Sequence, residues 1–438
     1  MNYGHIFKRY ICMGSRMSGK KAGLSGKFRG FSHEARTLIA AGLIDNMSFA
    51  INGFVLVLYL SALGYSYAFF GALSLIMEIS QVSVLLASGF IADRFGRKKT
   101  ILVGLVLGTL GMMHFAFFDT VAAFVIGSVL LGASSGFTGP AFSALLSEKT
   151  TLKRRKYLFS LNSIVANMGS GFITLVGGFI PMIFMSYFGF ASEPAYRMIF
   201  VIVFLIKFIA IGLLLRIKTD KVRKSTEVGY EKAEKKHWIL LLKFALPSAL
   251  TGIGAGVLIP YFPIYFQLRF ELDLGSIGIL FAMLSFLMVL MTIYLPRLAE
   301  KKGTITITTA FHITSIIAMI AMPFTPWLYL VILLFLARAA LMNVPGPIMT
   351  SFMMSHLPHS LRATAQSANG FAWMFTHAIG VFIGGFIWDT GDFNLAFYIA
   401  IILYILATVF YFGFFYRMDD AKHKNTFFWP ILRHFVRK

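Results

Sequence analysis

The chain has little of what a soluble enzyme needs. Of its 438 residues only 13% are charged, and acidic residues are the scarcer sign, 18 against 40. So few charges cannot cover a surface facing water, and most side chains must therefore face lipid or one another. The single cysteine, Cys12, excludes an intramolecular disulfide framework and a cysteine-built zinc cluster. No P-loop, no HExxH and no GxSxG with triad partners occurs in a hydrophilic segment. Enzyme activity, a metal and a cofactor are therefore not expected. The first 36 residues are basic and hold no apolar core of a cleaved secretory signal. A net charge of +22 raises nucleic acid as a partner. The basic residues, however, sit in short loops between long apolar runs, not in a stripe interleaved with aromatics.

What is present is apolar sequence, 58% of all residues. Runs of about 20 residues, enough to cross the roughly 30 Å core of a bilayer, lie near 37–62, 65–92, 99–118, 121–146, 157–183 and 196–216. They resume near 239–266, 275–297, 303–325, 327–354, 363–389 and 393–416, twelve in all. Tails and alternate loops carry 35 of the 40 basic residues, while the opposite loops carry two, Arg197 and Arg269. Lysine and arginine accumulate on the cytoplasmic side of membrane proteins. Both termini are therefore expected in the cytoplasm, in a cell membrane.

One extended hydrophilic break, 217–238, reads as a linker between a six-helix bundle at 37–216 and another at 239–416. Basic tails at 1–36 and 417–438 flank them. Sliding the chain by 207 residues aligns the halves: Asp93 and Gly96 fall on Glu300 and Gly303, and Gly139-Pro140 on Gly346-Pro347. Arg155, Ser160 and Asn162 fall on Arg362, Ser367 and Asn369, and Gly177 to Ile180 on Gly384 to Ile387. The expected architecture is an all-α membrane protein of two pseudo-symmetric bundles related by an axis along the membrane normal.

At the inner end of the second span stands Gly89-Phe90-Ile91-Ala92-Asp93-Arg94-Phe95-Gly96-Arg97-Lys98-Lys99. This resembles the loop motif GxLaDrxGrkxxl between the second and third helices of the major facilitator superfamily. A decayed echo at Pro296 to Gly303 lies where that family carries one. Gly89 suits close helix approach, Gly96 a turn of positive φ, and Asp93 can cap a facing helix or pair with Arg94 or Arg97. The resemblance implies a gate, docking on the eleventh span to shut the cytoplasmic side, with Glu148 placed to join its charges. The antiporter motif GxxxGPxxGG is only partly matched. Gly169 and Gly177-Gly178 are present, but Ile173-Thr174 stands where the Gly-Pro would be. The family's arginine in the fourth helix is replaced by Gly132.

Ionisable groups at membrane depth mark function by default. Glu78 shares a helical face with Gly89, and at 1.5 Å per residue it lies at about the depth of His377 in the eleventh span. That pair is a candidate proton site. Asp45 in the first span shares a face with Asn52 and is a candidate proton or substrate site, or the partner of a salt bridge near the inner surface. In this family the first, fourth, seventh and tenth helices line the cavity, which makes Arg338, Asn52, Tyr261, Tyr265 and Asn343 candidate lining residues. Arg338 could bind an anionic substrate or neutralise Asp45 or Glu78. Lys207 is expected to snorkel, and His114 and His312 to be structural. The resemblance implies a monomeric secondary transporter working by alternating access on a small molecule. Protons are the expected coupling ion and efflux of amphipathic or drug-like compounds the first expectation. Uptake of a small organic anion is the second, and a non-transporting membrane sensor of the same fold the third.

Overall fold

The computed structural model describes residues 31–217, 235–343, 345–358 and 361–418. Most of the two basic tails and the body of the linker lie outside them. The described residues contain helices and no strand. Twelve helical stretches are long and apolar enough to cross a membrane, matching the twelve runs of the sequence.

In chain order the N-terminal half comprises α1 (His33–Ala62), α2 (Tyr67–Phe95), α3 (Arg97–Phe117), α4 (Val121–Glu148), α5 (Leu152–Phe188) and α6 (Ser192–Leu215). The C-terminal half comprises α7 (Lys235–Leu258), α8 (Phe262–Phe270), α9 (Leu274–Lys302), α10 (Thr304–Ala321), α11 (Leu328–Asn343), α12 (Gly346–Ser355), α13 (Arg362–Asp389) and α14 (Phe393–Phe415). Two spans are broken rather than continuous. The seventh passes from α7 to α8 through a 3-10 turn at Ile259–Tyr261, where Pro260 and Pro263 remove backbone donors. The tenth is split between α11 and α12, where Pro345 and Pro347 crowd the chain. The α2–α3 and α9–α10 turns are repeat copies of each other. Gly96 has φ 98° and Gly303 φ 89°, which a side chain would strain.

The ends of the bundle differ. At the end away from the termini, one continuous apolar core joins both halves, from Val55 and Tyr59 of α1 through Tyr261 and Phe266 to Trp388 and Phe397. At the basic end each half keeps its own cluster, around Leu38, Leu105 and Leu145 in one and around Phe244, Met353 and Phe415 in the other. The halves meet chiefly through two helix pairs, α2 on α13 and α5 on α9, with smaller contacts of α1 on α8 and the turn before it, and the repeat relates the two main pairs. A Cβ at Gly71 would stand 2.8 Å from the Val381 carbonyl, and one at Gly278 the same distance from that of Thr174, the residue 207 positions before Val381. Gly385 likewise rests on the Tyr67 backbone and Gly178 on that of Leu274, again 207 apart. Small residues let membrane helices come this close.

Asp389, the last residue of α13, completes this closed end. Its Oδ1 and Oδ2 accept from the backbone N–H groups of Tyr67 (2.7 Å) and Ala68 (3.0 Å), while Ser66 Oγ accepts from Phe69. The first N–H groups of α2, which have no partner within the helix, are thus satisfied partly from the other half. At the basic end the same two helices have parted. A Cβ at Gly89 would meet nothing within 4 Å, so the expected close packing at Gly89 is absent here. The separation of the halves at this end is the reason.

These contacts predict opposite outcomes for two glycines of one helix. Gly71→Val places methyl groups against backbone and is expected to cost about 1–3 kcal/mol, seen as a lowered thermal midpoint in detergent. Gly89→Ala should leave that midpoint unchanged or slightly raised.

Candidate functional site

Each half holds a cavity on the basic side that has a counterpart in the other half. About 300 Å³ in the N-terminal half is walled by Asp45, Gln81, Thr138, Phe142, Ser143 and Asn162 among others. About 340 Å³ in the C-terminal half is walled by Phe244, Thr251, His312, Met349, Asn369 and Trp373 among others. The repeat relates these walls too. Ser135, Phe142, Ser143 and Asn162 of the first fall on Met342, Met349, Thr350 and Asn369 of the second, and Leu105 on His312. Charge breaks the symmetry. Among the described residues, Asp45 is the one Asp, Glu, Lys or Arg that walls the first cavity, and the second has none.

Asp45 does not stand alone. Its Oδ1 accepts from Lys207 Nζ at 2.8 Å, joining α1 to α6. The lysine side chain is 2% exposed and that of Asp45 27%. Lys207 therefore does not snorkel. It lies on the buried stripe of α6 formed by Phe200, Val203, Ala210 and Leu214, and its ammonium is neutralised inside the half. A second cavity of about 30 Å³ lies beside the pair, walled by Ser48, Asn52, Ser134 and Ser135 together with Asp45 and Lys207. Asn52 donates to Met77 Sδ at 3.6 Å, and its Oδ1 is buried without a partner.

Glu78 is buried on α2 and walls neither cavity. Its helix, α2, packs on α13 of the other half. No hydrogen bond links Glu78 to His377, however. Glu78 Oε2 and His377 Nδ1 are each buried without a partner. The His377 ring instead stacks on Trp373 at 4.8 Å, one turn away on its own helix.

Four lining candidates are corrected by the packing. Arg338 is 1% exposed. Its Nη2 donates to Tyr404 Oη at 2.7 Å, and its guanidinium lies over the rings of Tyr404 and Phe262. Sealed between α11, α14 and α8, it neither faces a cavity nor pairs with Asp45 or Glu78. Tyr261 stacks on Trp388 (5.4 Å) and donates to the Val381 carbonyl (2.6 Å), placing it in the closed end. Tyr265 is fully buried there, its hydroxyl accepting from Arg269 Nη1 at 2.8 Å. Asn343, at the break between α11 and α12, donates back to the Ala339 carbonyl (2.8 Å) and walls neither of the two cavities.

At the basic end, Arg97 pairs with Glu148 at the end of α4 and lies 4.0 Å from Asp93. Arg94 lies over the Phe95 ring. The Asp93 side chain is 70% exposed, so the cluster is assembled within the N-terminal half and undocked from the other. Asp389, which sequence reasoning passed over, and Lys207, which it expected to snorkel, thus carry structural weight. A carboxylate closing a helix C-terminus, where the dipole repels it, signals a partner elsewhere.

The model of the Major Facilitator Superfamily matches residues 38–381. The chain belongs to that superfamily of membrane transporters. Multidrug resistance protein 2 of Bacillus subtilis is 35% identical over 122 residues, 27% of this chain and 28% of that protein. The class B tetracycline resistance protein of Escherichia coli is 27% identical over 356 residues, 76% of this chain and 84% of that protein. The chain thus spans about a quarter of the first relative and most of the second. Among solved structures, a bacterial homologue of the human lysosomal transporter Spinster, inward-facing and unoccupied, superimposes with a TM-score of 0.70 at 13% identity. It covers 87% of this chain and 96% of its own. That likeness shows the superfamily's fold.

The buried pair can be tested by a double-mutant cycle. Removing either partner of a buried ion pair leaves an uncompensated charge, so Asp45→Leu or Lys207→Met alone should cost about 3 kcal/mol. The double variant should recover most of that loss, read as thermal midpoints in detergent.

Proposed function

We propose that the chain exports amphipathic, positively charged compounds in exchange for protons, by alternating access across a cell membrane. The observation that carries this is the charge of the two cavities. Their walls offer aromatic and apolar surface, hydroxyls, amides and one carboxylate, Asp45, while the cation expected to attract anions, Arg338, is sealed away. These two cavities attract a lipophilic cation and give an organic anion no counter-charge, the Lys243 side chain lining a separate cavity near the start of α7. The names of the multidrug and tetracycline resistance relatives agree with export.

In this reading the basic end is cytoplasmic, as the loop charges favour, and the conformation described is open to the cytoplasm. Cargo enters the cavities from that side and meets Asp45. Closure of the basic end then docks the Gly89 to Gly96 motif, with Asp93 and the Arg97–Glu148 pair, against α13. The opposite end opens by parting the glycine crossings. Glu78, buried without a partner for Oε2 under α13, is a proton site that senses this rocking, and His377 lies near the same depth.

Flux in proteoliposomes tests the proposal, with tetraphenylphosphonium as cation, Nile red as uncharged amphipath and benzoate as anion. The cation is expected to accumulate only when protons run the opposite way, and benzoate not to move. Asp45→Asn should cut cation flux at least tenfold. Glu78→Gln should lower gradient-driven accumulation while sparing downhill exchange. Transport of benzoate alone would overturn the reading. Absence of flux under every gradient would do so too, and would leave a non-transporting sensor.

A further inference from the structure

The Asp45–Lys207 pair is built so that the lysine occupies the place a bound cation would take. Asp45 stands in the wall between two spaces. With Phe49 and Ser135 it lines both the 300 Å³ cavity, from which cargo would arrive, and the 30 Å³ cavity behind it. Lys207 lines only the space behind. Its ammonium fits because residue 108 is glycine. A Cβ there would stand 2.8 Å from Lys207 Nζ and 2.5 Å from Ser134 Oγ. The four-carbon stem is flexible and its ammonium a compact point charge. The small cavity also offers the amine somewhere to go, because Asn52 Oδ1 on its wall is a buried acceptor with no donor.

We infer that Lys207 is a tethered competitor of the cargo, holding Asp45 while the site is empty and giving it up when a cargo cation binds. This rests on the export reading above and supplies its coupling step. One carboxylate cannot serve two cations in an apolar site, and an ammonium left there without its counter-ion is costly. Releasing a proton removes that cost. The Lys207 ammonium loses one proton to water in the cavity, and the neutral amine donates to Asn52 Oδ1 while the cargo cation pairs with Asp45. One positive charge enters the site and one proton leaves it, so charge balances. When the cargo departs on the far side, the amine regains a proton and returns to Asp45. The titratable groups facing the pair from the walls of both cavities are Asp45 and Lys207 themselves.

Binding of tetraphenylphosphonium to purified protein in detergent tests this by the sign of an effect. A lysine that merely supports the site would weaken cation binding when lost. A competitor would strengthen it. Lys207→Met is therefore expected to tighten the cation Kd at least tenfold and to leave Nile red binding unchanged. Lys207→Arg keeps a charge that cannot be lost and is expected to bind the cation no more tightly than wild type. In weakly buffered solution the wild type should release about one proton per cation bound, and Lys207→Arg none. This arm reads the wild type even if Lys207→Met fails to fold. Weaker or unchanged cation binding by a folded Lys207→Met, or wild-type binding without proton release, overturns the competitor and leaves the export reading standing. Wild-type protein that binds no cation overturns both.

Discussion

The structure hangs on two places where backbone rests on backbone. Gly71 and Gly385 bring α2 onto α13, and Gly178 and Gly278 bring α5 onto α9, all at the end away from the termini. Between apolar helices in lipid there is no hydrophobic drive to associate, so close packing must supply it. Only a residue without a Cβ permits that approach. The two crossings are copies of one another at an offset of 207 residues, so closing one closes the other. A continuous core forms only where they hold the halves together. The cavities are the remainder of that arrangement, one in each half on the side where the halves have parted.

Charge is distributed by the same logic. A charge far from water must be paired or shielded. Among the described residues each half buries one lysine or arginine deep in its core, and the two are treated differently. Lys207 has a carboxylate that also faces a cavity, whereas Arg338 has a phenol and two aromatic faces and no cavity. The first arrangement can exchange partners with something arriving from solution. The second fixes α11 to α14 and α8. The repeat therefore built two similar frames, and in the proposed function side-chain chemistry makes only one of them a cation site.

The twelve spans, their pairing into halves and the basic rim could be read from the chain because each is a pattern over many residues. Hydropathy, loop charge and a repeat survive the loss of any single match. The site was less legible because it depends on which face a residue turns and what stands opposite. Lys207 reads as a snorkelling residue if only its nearness to the span's end is counted. Its spacing from Val203 and Ala210, four back and three on, puts it on the buried stripe. Arg338 and Tyr261 lie on spans that line cavities, but on faces turned to neighbouring helices, and the cavity faces of α7 and α12 are held by Thr251 and Met349 instead. Glu78 and His377 were placed near one depth by counting residues along each helix, which fixes height and says nothing of side-chain reach. Asp389 sits at a helix end, where a search for deep carboxylates does not look.

Asp389 also clarifies what the Gly89 to Gly96 motif does in the proposed cycle. Helices α2 and α13 run antiparallel, and each ends in or near a carboxylate, Asp93 on α2 and Asp389 on α13. A carboxylate at its own helix C-terminus is repelled by that helix's dipole and attracted to the N-terminus of an antiparallel neighbour. Asp389 has found that partner, the first N–H groups of α2. Asp93 has not, and stands exposed while the start of α13 lies apart. Two such latches at opposite ends of one helix pair cannot both be engaged if the halves rock about the contact between them. The motif at the basic end and the lone aspartate at the other then stabilise opposite states by the same interaction. The energy released on engaging one latch offsets the cost of breaking the other, which leaves cargo and protons to decide between the two states.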